Sequence, residues 1–109
     1  MIRLEITPFA QLEVKDVVRY YVKEASPAIP GRFRDEFRDA CRFLAENPDV
    51  GSLRFAYLLS VAEIRTWSPH RFPFRLFYIE DGDVLRVLAV DHERRNVTPS
   101  LFEQVKRGS

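Results

Sequence analysis

Between Phe74 and Asp91 the chain carries a run of strand-forming residues interrupted at one place, Glu80-Asp81-Gly82-Asp83. Glycine tolerates positive φ and aspartate hydrogen-bonds its own local backbone, so the interruption reads as a tight hairpin turn. Two strands therefore meet there, about Phe74 to Glu80 and about Val84 to Asp91. Neither alternates cleanly between apolar and polar residues. On the first strand Phe74, Leu76 and Tyr78 share one face, while Arg75, Phe77 and Ile79 share the other. Large apolar groups on both faces place the hairpin in the middle of a sheet, covered on both sides. Arg75 and Arg86 lie in this apolar background, where an unpaired buried charge is strongly destabilising. Each must send its guanidinium to the sheet margin, to a groove, or to a carboxylate such as Glu63, Glu80 or Asp91. From the face assignment, Tyr78→Ala is expected to lose core packing and unfold, and Arg75→Ala to stay folded.

The remaining elements follow from periodicity and turn chemistry. Ile2 to Ile6 alternates apolar and charged residues, a short edge strand with one wet face. Thr7-Pro8 is a helix start, threonine as N-cap and proline in the first turn. The helix runs to about Ala25, with Leu12, Val17, Tyr20, Tyr21 and Ala25 as its apolar stripe and Glu13, Lys15, Arg19 and Lys23 on its wet side. Ser26-Pro27-Ala28-Ile29-Pro30-Gly31 reads as a break. A second helix is expected from about Arg32 to Glu46, with Phe33, Phe37, Ala40, Cys41 and Leu44 on one face, and Asn47-Pro48 ends it. Ser52 to Leu59 has no decisive period and reads as an ordered connection. Ala62 to Trp67 is a strand, and Ser68 to Pro73 is the turn into the hairpin. Thr98-Pro99 repeats the first capping signal, so Ser100 to Lys106 is expected to be a short terminal helix. The fold class is α+β: a strand, a helical hairpin, then three antiparallel strands, the helices laid on a small, mainly antiparallel sheet.

A chain of 109 residues with 46% hydrophobic and 13% aromatic residues supports one core, so residues 1–109 form a single domain. The formal net charge of +1 leaves no global field towards nucleic acid or an anionic membrane, and any basic surface must be local. No stretch approaches the roughly 20 apolar residues of a membrane span, no signal-peptide pattern opens the chain, and the reading is cytoplasmic. The single cysteine, Cys41, excludes an intramolecular disulfide and lies on a buried helix face, where it is inert. With His70 and His92 as the only histidines, no metal site and no cofactor is expected.

Several local patterns recur in a fixed order: Ser26-Pro27 before a helix with Phe33; Leu44, then Asn47-Pro48 and Gly51; Arg65, then Arg71-Phe72-Pro73-Phe74-Arg75-Leu76-Phe77-Tyr78; and Val84 to Val90 leading into His92-Glu93-Arg94-Arg95. In this order and spacing the chain resembles the RelE/ParE superfamily of toxins from bacterial type II toxin–antitoxin systems, over nearly its whole length. The R-F-P-x-R-x-x-Y run and the strand ending in D-H-E-R-R are similar to the ParE-like branch. The resemblance implies a toxin neutralised by a cognate antitoxin, with DNA gyrase as target in the ParE-like branch and ribosome-bound messenger RNA in the RelE-like branch.

The two branches ask for different sites. A nuclease needs a base for the attacking 2′-hydroxyl, cations for the phosphate and an acid for the leaving oxygen. His92 with Arg65, Arg75, Arg94 and Arg95 would supply such a set if the sheet gathers them. No tyrosine follows Tyr78, and no lysine lies between Lys23 and Lys106, so the lysines and acid of the RelE pattern are missing. A binding inhibitor needs only a surface, for which Arg71, Arg75, His92, Arg94 and Arg95 are the candidates. The binding inhibitor is the favoured reading. The alternatives are the endoribonuclease and a family member that only binds antitoxin.

Overall fold

The computed structural model describes residues 2–24, 26–94, 96–100 and 103. The order of elements is β1 (Arg3–Ile6), α1 (Pro8–Glu24), α2 (Ala28–Glu46), a one-turn α3 (Ala56–Leu59), β2 (Arg65–Trp67), β3 (Phe74–Asp81) and β4 (Val84–His92). The four strands form one sheet in the order β1-β4-β3-β2, with β1 parallel to β4 and the other pairs antiparallel. The expected α+β architecture is thus present, with the β3–β4 hairpin central and β1 at an edge. Gly82 takes φ +60° in the hairpin turn, the conformation its position predicts. Of the expected terminal helix from Ser100 to Lys106, Ser100 and Glu103 are helical, and the rest lies outside the described residues.

The sheet separates two apolar clusters. Phe74, Leu76 and Tyr78 on β3 and Leu85, Val87 and Val90 on β4 pack with Phe33, Phe37, Ala40, Cys41 and Leu44 of α2. On the opposite face Phe77, Leu88 and Ala89 pack with Leu59 and Ile64, partly under Phe55 and Val61. The imperfect alternation along β4 has a local cause: the pairing shifts between Phe77↔Ala89 and Tyr78↔Val87, leaving Leu88 as the extra residue of a bulge. Leu88 and Ala89 therefore share one face, and Val87 and Val90 share the other.

Several local expectations are corrected. The stripe of α1 that meets the core is Ala10, Val14, Val17, Val18 and Tyr21. These are spaced by three, four and one residues, whereas Leu12 and Tyr20 fall outside that arc and are exposed. Glu13 is not on the wet side: its carboxylate accepts the Val90 N–H at 2.7 Å, covering the β4 edge beyond the end of β1. Thr7 is the N-cap as expected, its Oγ1 accepting from Ala10 N–H at 3.2 Å. The second helix begins at Ala28, not Arg32. Pro30 is the third residue of that helix, within the first turn, where no N–H is required, so it starts the helix and does not break it. The connection before β2 contains the turn α3, and β2 itself begins at Arg65 because Glu63 adopts φ +65°.

Candidate target-binding site

β3 and β4 deliver the candidate residues to one end of the sheet. Phe74 pairs with His92, and one step further the Glu93 N–H donates to the Pro73 carbonyl at 3.0 Å. Arg71, His92 and Arg94 are all exposed around this junction. The Arg94 N–H donates to His92 Nδ1 at 3.1 Å, which tucks the turn against the imidazole and leaves the proton of the neutral ring on Nε2. Beside His92 an apolar cleft of about 450 Å³ opens between α1 and the start of β3, lined by Asp16, Val17, Tyr20, Tyr21, Pro73 and Phe74. Tyr20 and Val17, which sequence periodicity assigns to the core, are walls of this cleft.

The other candidates lie elsewhere. Arg75 is not at a surface: its Nε donates to Asp91 Oδ1 at 2.7 Å and its second terminal nitrogen to Oδ2 at 3.1 Å, with both side chains almost wholly buried. Its guanidinium lies 5.3 Å from the ring centroid of Phe77 and 5.4 Å from that of Phe55. The alternative of a cross-strand carboxylate, and Asp91 in particular, is the one realised. Arg86 likewise meets Glu5 at 2.8 Å and Asp81 at 3.1 Å. Arg65 pairs in the ladder with Tyr78, four residues along β3 from Phe74, or about 13 Å at the usual strand rise. Its guanidinium donates to the carbonyls of Asp49 and Gly51 and holds the loop after α2. Arg95 lies outside the described residues. His92 and Arg94 thus stand together, Arg71 lines a separate groove against α2 with Ile29, Arg32 and Asp35, and neither Arg65 nor Arg75 is brought to His92.

Burial raises the Tyr21 phenol, which lines the cleft beside His92, and the neighbouring Tyr20 acts in the same sense. Burial pushes the Cys41 thiol up to about 12, consistent with an inert core residue. Burial also raises Tyr78, although its bond from Gly51 and the charge of Arg65 act in the opposite sense. Among the described residues no group of three or more His, Cys, Asp and Glu is placed to hold a metal ion.

The site stands at the exposed end of an α+β layer that carries a helical hairpin on one face of its sheet. The sequence profile of the family described as "ParE toxin of type II toxin-antitoxin system, parDE" matches residues 4–97. The chain belongs to the ParE toxin family. Its fold is similar to a chain from a solved structure of the chromosomal ParDE toxin–antitoxin system from P. aeruginosa, with TM-score 0.70, 20% identity, and coverage of 84% of this chain and 96% of that chain. No sequence among curated proteins matches it. Among the described residues no helix is long and apolar enough to cross a membrane.

Proposed function

We propose that this ParE-family toxin halts growth by binding and poisoning DNA gyrase, and that a cognate antitoxin neutralises it. One observation supports a binding mechanism over nuclease chemistry: among the described cations of the nuclease set Arg94 stands beside His92, but Arg65 and Arg75 do not. Arg75 is locked to Asp91 in the interior, and Arg65 lies about 13 Å along the sheet, tied to the loop after α2. Beside His92 is an apolar cleft that also includes Asp16, with the exposed Arg94 next to the imidazole, a make-up that suits a protein-binding surface in which an apolar anchor supplies affinity and an arginine selects a carboxylate. The antitoxin reading is supported by the apolar side chains left in solvent, Leu12, Tyr20 and Val22 on α1 and Tyr57 on α3, which a partner segment would cover.

The test is a supercoiling assay with purified toxin and gyrase, run beside messenger RNA integrity in cells expressing the toxin. Blocked supercoiling, DNA-damage signalling and filamentous cells with intact messenger RNA are expected. Ribosome-dependent messenger cleavage that disappears in His92→Ala would overturn the reading and replace it with the endoribonuclease. Co-expression with a cognate antitoxin is expected to restore growth.

A further inference from the structure

We propose that the Arg75–Asp91 ion pair is a register pin: it holds the β4 bulge at Leu88 and so decides which face of the sheet presents His92. The argument starts from an ambiguity in the sequence. On the turn side of the bulge Tyr78 pairs with Val87 and Ile79 with Arg86; beyond it Phe77 pairs with Ala89, Arg75 with Asp91 and Phe74 with His92. Continuing the turn-side register without a bulge would instead set Phe77 opposite Leu88, Leu76 opposite Ala89, Arg75 opposite Val90 and Phe74 opposite Asp91. Leu88, Ala89 and Val90 are all apolar, so the hydrophobic pattern satisfies either register.

The residues that discriminate are Arg75 and Asp91. In the unbulged register Asp91 would take the exposed place opposite Phe74 that His92 now holds, and Arg75 would face a valine. Arg75, buried against Phe55 and Phe77, would then lose the Asp91 carboxylate it meets at 2.7 Å, and separating a buried guanidinium from its carboxylate penalises the competing structure. Glu13 and Thr7 also hold β4, at the Val90 N–H and the Leu88 carbonyl, but they grip backbone groups that any residue at those positions presents. A one-residue slip reverses every side chain beyond it, so His92 would leave the cleft beside Phe74 and Tyr21 for the opposite face. Arg75 and Asp91 are thus positioning residues for the proposed gyrase-binding surface, which neither reaches. The role in register stands without that reading; only the effect on inhibition rests on it.

The test replaces the pair by apolar groups of similar size, Arg75→Met with Asp91→Leu, a change that removes the charges without leaving either one orphaned. The expected result is a folded protein whose melting temperature is unchanged or raised, but whose NMR spectrum contains two sets of cross-strand contacts, Phe74 to His92 and Phe74 to position 91. Inhibition of supercoiling is expected to fall in proportion to the lost native register, about twofold at equal populations. A single native register in this variant overturns the proposal. Should the apolar variant aggregate, the exchanged pair Arg75→Asp with Asp91→Arg decides: one native register supports the pin, and a mixture overturns it. Wild-type protein that leaves supercoiling untouched would remove the gyrase reading, while the NMR result would still judge the pin.

Discussion

Gly51 donates its backbone N–H to the buried hydroxyl of Tyr78 at 3.0 Å, and a Cβ at Gly51 would lie 2.6 Å from that oxygen. The same hydroxyl donates to the Pro48 carbonyl at 2.8 Å, so one side chain on β3 fastens both ends of the turn that leaves α2. Its ring is core and its oxygen is a clamp. Tyr78→Phe removes both bonds and leaves the buried Gly51 N–H without its acceptor, and should cost about 1–3 kcal/mol. Gly51→Ala must displace Tyr78 or the Thr66 carbonyl, 2.9 Å from the added carbon, and should cost about 1–3 kcal/mol by overpacking. Urea unfolding of both variants checks this; a combined loss smaller than the sum is expected, because both changes break the same clamp.

Arg75→Ala is predicted to be strongly destabilising, contrary to the expectation from strand faces alone. It leaves Asp91 buried without its cation, which typically costs about 3–5 kcal/mol out of a total stability of about 5–15 kcal/mol. Equilibrium denaturation should place it near the Tyr78→Ala variant, for which loss of a buried aromatic side chain costs about 3–5 kcal/mol.

Alkaline pH should weaken the fold through its buried weak acids. The Cys41 thiol is pushed from the ordinary 9.0 up to about 12, so the folded state retains a proton that the unfolded chain gives up. Its contribution is fully present below pH 9.0 and is lost as pH rises towards about 12. Tyr78, also raised by burial, acts in the same direction. The urea midpoint is expected to fall across that range, and to fall less in Cys41→Ala. A thiol reagent at neutral pH should label Cys41 only on unfolding.

At the exposed sheet end, substitutions should separate binding from stability. Arg94 is in solvent and its side chain can be removed without opening the core, so Arg94→Ala combined with Arg95→Ala should leave the melting temperature within about 0.5 kcal/mol of equivalent stability. Inhibition of gyrase by that variant is expected to fall strongly, and by His92→Ala only modestly. Comparable losses of inhibition and of stability in the double variant would mean that the cluster is structural.

Capping of the first helix gives a smaller, local effect. Thr7 Oγ1 accepts from the Ala10 N–H and donates to the Leu88 carbonyl, joining α1 to the bulged part of β4. Thr7→Ala should cost about 1–2 kcal/mol, and Thr7→Ser should recover most of it, as measured by thermal unfolding.

The order of elements, the hairpin, the buried face of α2 and the two-sided burial of β3 were legible in the sequence because each rests on local rules: turn chemistry at Asp81-Gly82, a three-and-four spacing from Phe33 to Leu44, and strand propensity from Phe74 onward. The start of α2 was misplaced because Pro30 is a breaker inside a helix and harmless in its first turn, and sequence alone does not say which turn it occupies. The partners of Arg75, Glu13 and Tyr78 were decided only by tertiary structure. Asp91 is one of several carboxylates that Arg75 could have met, Glu13 looked like a wet helix residue until the β4 edge was placed beside it, and the Gly51 clamp spans 27 residues of sequence. The face on which His92 stands depends on a bulge that the apolar run from Val87 to Val90 does not specify. Local pattern selects elements and faces, while register and charge pairing are set by which side chains meet across the sheet, and that is determined by the packed molecule as a whole.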